Sequence, residues 1–168
     1  KDQIVNLENL SMEALDAQMK TSMIYKASDP YVAYTGFDFN INKINIGKLV
    51  DFIPELDTIV PMLRSFKGLV DFNIAAEARL DSLMNIKIPT LRSAIYIKGD
   101  SLVLLDGETF TKLAKILMFK NKKKNMFDSI SVNITVEDGN VKVYPFLVEI
   151  DRYRAAVGGE QKDRKSVV

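Results

Sequence analysis

Apolar and polar residues alternate with a period of two along much of this chain, and this pattern limits the folds it can adopt. On a β-strand, successive side chains point to opposite faces of the sheet. The longest alternating stretch covers residues 70–80. Another covers residues 130–136 and is followed by Asp138-Gly139-Asn140, which is typical of a tight hairpin turn, and by a returning strand at residues 141–143. Both stretches predict strands with one wet face and one apolar face.

Further segments show the same alternation. It predicts strands at residues 15–25, 37–42, 84–88, 93–98, 101–105 and 146–153. The segments 93–98 and 101–105 are predicted to pair through a turn at Gly99-Asp100, and Pro89 and Pro145 are predicted to interrupt or end their strands.

Three short segments have the spacing of a helix instead. They are residues 49–53 before Pro54, residues 56–63 with a stop at Gly68, and residues 110–117. Strands outweigh helices and mostly follow one another directly, which favours antiparallel pairing. We predict an α+β fold: a mainly antiparallel, twisted meander sheet that curves into a half-pipe or groove, with about three short helices.

The composition excludes several kinds of site. The chain has 168 residues, 47% of them hydrophobic, and contains no His and no Cys. Nucleophilic centres that use His or Cys, zinc sites with those ligands and disulfides are therefore excluded. A net charge of +1 gives no long-range field that would attract nucleic acid. We expect a globular chain that is not an enzyme and that binds no metal, no cofactor and no nucleic acid.

The apolar face of such a sheet must be covered, and the sequence leaves two interpretations open. Helices and a partner sheet fill it as an ordinary core, or it forms an open trough that holds lipid acyl chains. The residues predicted to line a lipid groove occupy the apolar positions of the alternating segments: Val70, Phe72, Ile74, Ile86, Ile88, Ile130, Val132, Ile134 and Val136.

Charged residues mark two further candidate sites. One is a basic cluster after the third predicted helix, formed by Lys120, Lys122, Lys123 and Lys124. It is either a solvated helix end or a contact for anionic lipid headgroups. The other is Asp151 with Arg152, which we interpret as a structural ion pair at a strand end rather than a catalytic set. Glu149 and Asp151 have the spacing of a glycosidase pair, but nothing else in the sequence resembles a sugar cleft.

Several segments together resemble a known family in their order and joint spacing. They are Gly99-Asp100-Ser101-Leu102-Val103-Leu104 and residues 117–122, 128–132, 143–146, 149–153 and 158–159, with residues 44–49 and 61–68 upstream. They resemble the C-terminal region of AsmA-family proteins, especially those of Bacteroidetes-type bacteria. The resemblance implies part of an envelope protein that is anchored in the inner membrane and acts in outer-membrane biogenesis. It also implies a β-rich periplasmic groove, similar to that of bridge-like lipid-transfer proteins, with a phospholipid or other envelope lipid as partner.

The resemblance also predicts how the chain is organised. Residues 1–159 are expected to form one periplasmic β-rich domain of a longer protein whose membrane anchor is missing here. Residues 160–168 follow Gly158-Gly159, are densely charged and lack any period, so we expect a disordered tail. Two origins stay open for it, native sequence and a non-native addition. The alternative function is a scaffold or adaptor for envelope and outer-membrane protein assembly that contacts no lipid.

Overall fold

Antiparallel strands dominate the computed structural model, which describes residues 3–29, 32–105, 126–150 and 153–157. The strands are β1 (Gln3–Ala14), β2 (Ala17–Asp29), β3 (Val32–Asn45), β4 (Phe66–Lys67), β5 (Leu69–Leu80), β6 (Arg92–Leu104), β7 (Met126–Glu137), β8 (Asn140–Val143), β9 (Phe146–Ile150) and β10 (Tyr153–Val157). Two short helices, α1 (Ile46–Phe52) and α2 (Glu55–Ile59), and 3₁₀ turns at Pro61–Ser65 and Ile88–Thr90 connect them.

The described strands form a single sheet in which neighbours in sequence are mostly neighbours in space. The order is β1-β2-β3-β5-β6-β7-β9-β10, with β4 beside β6 and β8 beside β7, and every pairing is antiparallel. The prediction of a mainly antiparallel meander with few helices is confirmed. The sheet itself is open and uncurled, with β1 and β10 at its two edges.

The hairpin predicted after residue 136 is present as β7 and β8. Asp138 and Gly139 both have positive φ, 50° and 78°, as a two-residue hairpin turn requires. β8 ends at Val143 and β9 begins at Phe146, so Pro145 lies between strands as predicted.

Two strand predictions are wrong, one about a turn within β6 and one about residues 84–88. β6 continues through Gly99 and Asp100 as one strand, because Gly99 pairs with both Val70 and Ile130 and the chain does not turn there. Residues 84–88 form no strand: Met84 has φ 67°, and Oδ1 of Asp81 accepts hydrogen bonds from two backbone N–H groups of this loop. Local hydrogen bonding to an Asp side chain stabilises a turn against the extended state.

Other boundaries differ from the prediction in detail. The second predicted helix is divided into α2 and the 3₁₀ turn at Pro61–Ser65, because Pro61 has no N–H to continue the helical ladder. The last predicted strand is two strands, β9 and β10, that pair with each other. The helix predicted at residues 110–117 lies outside the described residues. β1 was not predicted at all.

α1, α2 and the following 3₁₀ turn cover one end of the apolar face of the sheet. Their buried side chains include Leu49, Val50 and Leu56. They belong to a core cluster that also contains Ile41, Val70, Phe72, Ile97, Phe127 and Ile130 from the strands. Phe66 and Phe127 meet edge to face, with ring centroids 5.7 Å apart. We call these two helices and the 3₁₀ turn at Pro61–Ser65 the helical cap.

Candidate functional site

Two adjacent rows of side chains cross the apolar face of the sheet beyond the helical cap. The strand register places one row at Leu7, Met23, Phe37, Ala76, Ser93, Val136 and Val141. It places the next at Leu10, Thr21, Phe39, Ile74, Ile95, Ile134 and Val143. Neither row contains a charged residue. We call the two rows together the apolar band.

The apolar band is open at the β1 end and closes toward its middle. Leu7, Leu10 and Met23 are 39%, 44% and 42% exposed, whereas Ile95 and Ile134 are 8% and 0% exposed. Val5 and Met12 flank the open end on the same face of β1 and are also exposed. Exposed aliphatic side chains on adjoining strands form a contiguous patch, which is more informative than the same residues scattered singly.

The hydroxyl groups near the open end bind to the protein itself. Thr21 Oγ1 donates to the backbone oxygen of Asp38 at 3.0 Å, and Thr35 Oγ1 donates to that of Ile24 at 3.2 Å. Because each hydroxyl hydrogen already has an acceptor, an apolar ligand that covers this face leaves neither donor unsatisfied.

A β-bulge in β1 keeps the open end apolar. The register shifts between Leu7, which pairs with Met23, and Leu10, which pairs with Thr21. Glu8 and Asn9 together occupy the place of one residue, Asn9 has φ 54°, and its N–H donates to Ser22 Oγ at 3.1 Å. The extra residue returns Leu10 and Met12 to the face that Val5 and Leu7 share.

The bulge also explains why the open end was missed from the sequence. Strict alternation breaks at Glu8-Asn9, so neither half of β1 is long enough to stand out as a strand. Two half-length alternating segments of the same phase, separated by an Asn that tolerates positive φ, are the signal that identifies such a strand.

The nine residues predicted to line a groove occupy three different environments. Five are buried in the core: Val70, Phe72, Ile130, Val132 and Ile134. Ile74 and Val136 are half-buried in the apolar band. Ile86 and Ile88 are exposed in the connection between β5 and β6, outside the strands of the sheet. The structure therefore brings seven of the nine to one face.

The other candidate residues lie mostly outside the described part of the chain. These are Lys120, Lys122, Lys123, Lys124, Asp151 and Arg152, so headgroup contact and the ion pair stay predictions. Glu149 is described, and its carboxylate binds the Arg154 guanidinium of β10 at 2.8 Å.

The opposite face of the sheet is polar and holds a shallow depression of about 510 Å³. Gly36 and Ala94 are among its lining residues, together with Tyr34, Glu77, Arg92 and Glu137. The Tyr34 hydroxyl donates to the Glu77 carboxylate, and this hydrogen bond is the main cause that raises the pKa of Tyr34 above its usual value. Arg92 Nε lies 3.9 Å from Glu137 Oε1 in an exposed pair. These polar groups are largely satisfied by one another. The lining also includes Phe37, Ala76, Ser93 and Val136, which belong to one row of the apolar band.

Comparison with family models, curated proteins and solved structures finds no match to this chain. Among the described residues, no helix combines the length and apolar character needed to span a membrane.

Proposed function

We propose that this chain is part of a periplasmic AsmA-like protein in outer-membrane biogenesis and that its apolar face acts as a groove for lipid acyl chains during transport between membranes. The observation that supports the proposal is the apolar band, whose β1 end is exposed and uncharged. In this proposal the apolar band, which lies beside the helical cap on the open sheet, is the surface that holds the acyl chain. The resemblance to the AsmA family supports the cellular setting.

The length of the apolar band suits an acyl chain. Before the band closes, its exposed and half-buried side chains lie on β1, β2, β3 and β5. Four strands spaced about 4.8 Å apart span about 14 Å, and one leaflet of a bilayer holds about 15 Å of hydrocarbon. Each CH₂ group removed from water contributes about 0.8 kcal/mol, so about ten buried groups contribute about 8 kcal/mol before the cost of immobilisation. Met12 and Met23 at the open end have flexible, polarisable side chains that adapt to irregular ligands.

A structural scaffold is the second candidate function. Its support is the burial of five groove candidates in the core cluster, which makes that part of the face ordinary packed core. In this alternative the sheet positions other envelope proteins and contacts no lipid. The two candidates differ in whether the exposed end of the apolar band takes up an apolar ligand.

A matched pair of variants distinguishes the two functions. Leu7→Ser with Met23→Ser makes the open end of the apolar band polar. Ile4→Ser with Ile24→Ser removes similar side chains from the opposite face of the same two strands, where Ile4 is 59% exposed. The measurement is fluorescence titration of the whole chain with phosphatidylethanolamine that carries a fluorophore on one acyl chain.

The lipid function predicts saturable binding that falls at least tenfold in the Leu7/Met23 variant and stays within twofold in the Ile4/Ile24 variant. Equal losses in both variants contradict binding at the apolar band. No saturable binding by the unaltered chain, with no phospholipid retained in native mass spectrometry, favours the scaffold.

A further inference from the structure

β1 is a long strand at one edge of the described sheet. All twelve of its residues are exposed, and β2 is its only neighbour among the described strands. An edge strand offers backbone N–H and C=O groups to any other extended chain, and proteins usually protect such edges with charged side chains, Pro, a β-bulge or a short strand. Of these devices, β1 has two Glu side chains and a β-bulge. β1 contains neither Lys nor Pro. The other edge strand, β10, is much shorter, with five residues.

The sequence of β1 is complementary to itself when two copies run antiparallel. In one register, Val5 of each copy lies opposite Met12 of the other, and Leu7 lies opposite Leu10. On the polar face, the same register places Asn6 opposite Ser11 and Ile4 opposite Glu13. Apolar side chains therefore meet apolar ones on one face, and no two carboxylates lie directly opposite each other.

The β-bulge makes this register geometrically possible. Two-fold symmetry about the middle of β1 requires Glu8 and Asn9 to point to the same face, which a regular strand forbids and the extra residue permits. An equivalent arrangement exists within the sheet between β6 and β7. There Gly99 pairs with Ile130, and Leu102 pairs with Phe127. Each strand therefore has two consecutive residues between its buried positions, and the pairing between the strands stays in register.

We propose that β1 is a homodimerisation edge, at which a second copy of this chain adds its own β1 in antiparallel register. The two sheets then form one continuous sheet, and their apolar bands meet across the junction. Met23 and Leu7 of one copy continue into Leu10 and Thr21 of the other. About ten residues of each copy take part, which is a small interface, so we expect a weak and reversible dimer.

This inference does not depend on the lipid function. Dimerisation uses the backbone edge of β1, whereas lipid binding uses the side chains of the apolar band. Substitutions on the polar face of β1 therefore test the dimer and leave the lipid surface unchanged.

The first test determines the register by disulfide formation, which is practical because the chain has no native Cys. Asn6→Cys and Ser11→Cys are made in separate chains, oxidised alone and oxidised as an equimolar mixture. Side chains directly opposite in antiparallel strands have Cβ atoms about 5 Å apart, close to disulfide geometry, whereas two copies of residue 6 lie about 16 Å apart. We expect the mixture to form covalent dimer at least tenfold faster than either variant alone. Equal rates in all three samples, or no covalent dimer in the mixture, overturn the proposed pairing.

The second test changes charge at the same two positions and measures the dimer dissociation constant by sedimentation equilibrium. Asn6→Glu with Ser11→Glu places carboxylates opposite each other and should weaken the dimer at least tenfold. Asn6→Lys with Ser11→Glu places opposite charges there and should restore the unaltered dissociation constant within threefold. Both variants carry the same change beside Lys20, so they differ only at residue 6. A chain that stays monomeric at millimolar concentration, or two variants with the same dissociation constant, overturns the proposal.

Discussion

Three non-glycine residues with left-handed backbone, Asn9, Lys43 and Ser101, lie where strict alternation breaks within strands of the sheet. Their φ angles are 54°, 57° and 57°. At Asn9 and Lys43, a side chain of an adjacent strand accepts a hydrogen bond from the N–H of that residue: Ser22 Oγ at 3.1 Å and Asp71 Oδ1 at 2.9 Å. Because the donors are satisfied, the strands keep their apolar residues on one face across the break.

Replacing Gly68 should lower the stability of the fold, because a side chain there meets both backbone strain and a close contact. It has φ +148°, and an added Cβ lies 2.6 Å from Leu102 Cδ2, in a side chain that is only 2% exposed. Backbone strain and overpacking each cost about 1–3 kcal/mol, so Gly68→Ala should lower the free energy of unfolding by about 2–6 kcal/mol. Urea denaturation followed by circular dichroism measures it.

Gly139→Ala is the matched control for the cost of placing a residue with a Cβ at positive φ. Gly139 also has positive φ, +78°, but an added Cβ meets no atom within 4 Å. The control should therefore cost only about 1–2 kcal/mol. Equal losses in the two variants would show that contact with Leu102 contributes nothing.

At the scale of elements, the sequence predicts the regular strands and fails where a local backbone feature replaces strict alternation. The β7–β8 hairpin is predictable because its alternation is uninterrupted and its turn residues are distinctive. β6 is misread as two strands because Gly99-Asp100 is typical of a turn, although the strands on both sides hold Gly99 in the sheet. Pairing with the two neighbouring strands keeps Gly99-Asp100 extended, and the local sequence pattern gives no sign of that pairing.

The β-bulge of β1 gives a prediction about that element. Deleting Asn9 removes the extra residue and leaves Leu10 in phase with Leu7, so the β1–β2 pairing should become regular and its amides should stay protected from hydrogen exchange. Asn9→Val instead forces a β-branched residue into positive φ, at a cost of about 1–2 kcal/mol.

Hydrogen exchange of the β1 amides, followed by NMR, is the measurement for both changes. Faster exchange in Asn9→Val, and unchanged or slower exchange in the deletion, is the expected result. Loss of β1 protection in the deletion would mean that the bulge stabilises the strand rather than only setting its phase.

For the whole molecule, the fold class is predictable from alternation, but the location of the candidate site is only partly so. Alternation places Phe72 and Val136 on one face and cannot say that the helical cap covers Phe72 and leaves Val136 half-buried. Which part of an apolar face remains exposed depends on where the connections between strands pack. That depends on contacts between residues far apart in sequence.

The charge state of the whole chain should be nearly constant around neutrality. With no His and no Cys, no side chain has an ordinary pKa between about 5 and 8. The resolved shifts point away from this range. The hydrogen bond to Lys48 lowers the pKa of Asp16, the backbone N–H of Asn85 lowers that of Asp81, and Glu77 raises that of Tyr34.

We therefore expect self-association measured by light scattering to vary less than twofold between pH 6 and 8. A net charge near zero also gives little repulsion between copies in this range. A sharp change in scattering within that window would contradict the expectation. A similar change below about pH 4.5, where carboxylates gain protons, would not.

Because most strands lie beside their predecessors in the chain, the width of the sheet is proportional to the number of strands. Duplicating a hairpin at either border widens the surface by about 10 Å and requires no rearrangement of the remaining strands. Duplication of hairpins in the gene would therefore widen the sheet in steps of two strands. The width of the apolar face would be set by the number of duplicated hairpins and not by a new fold.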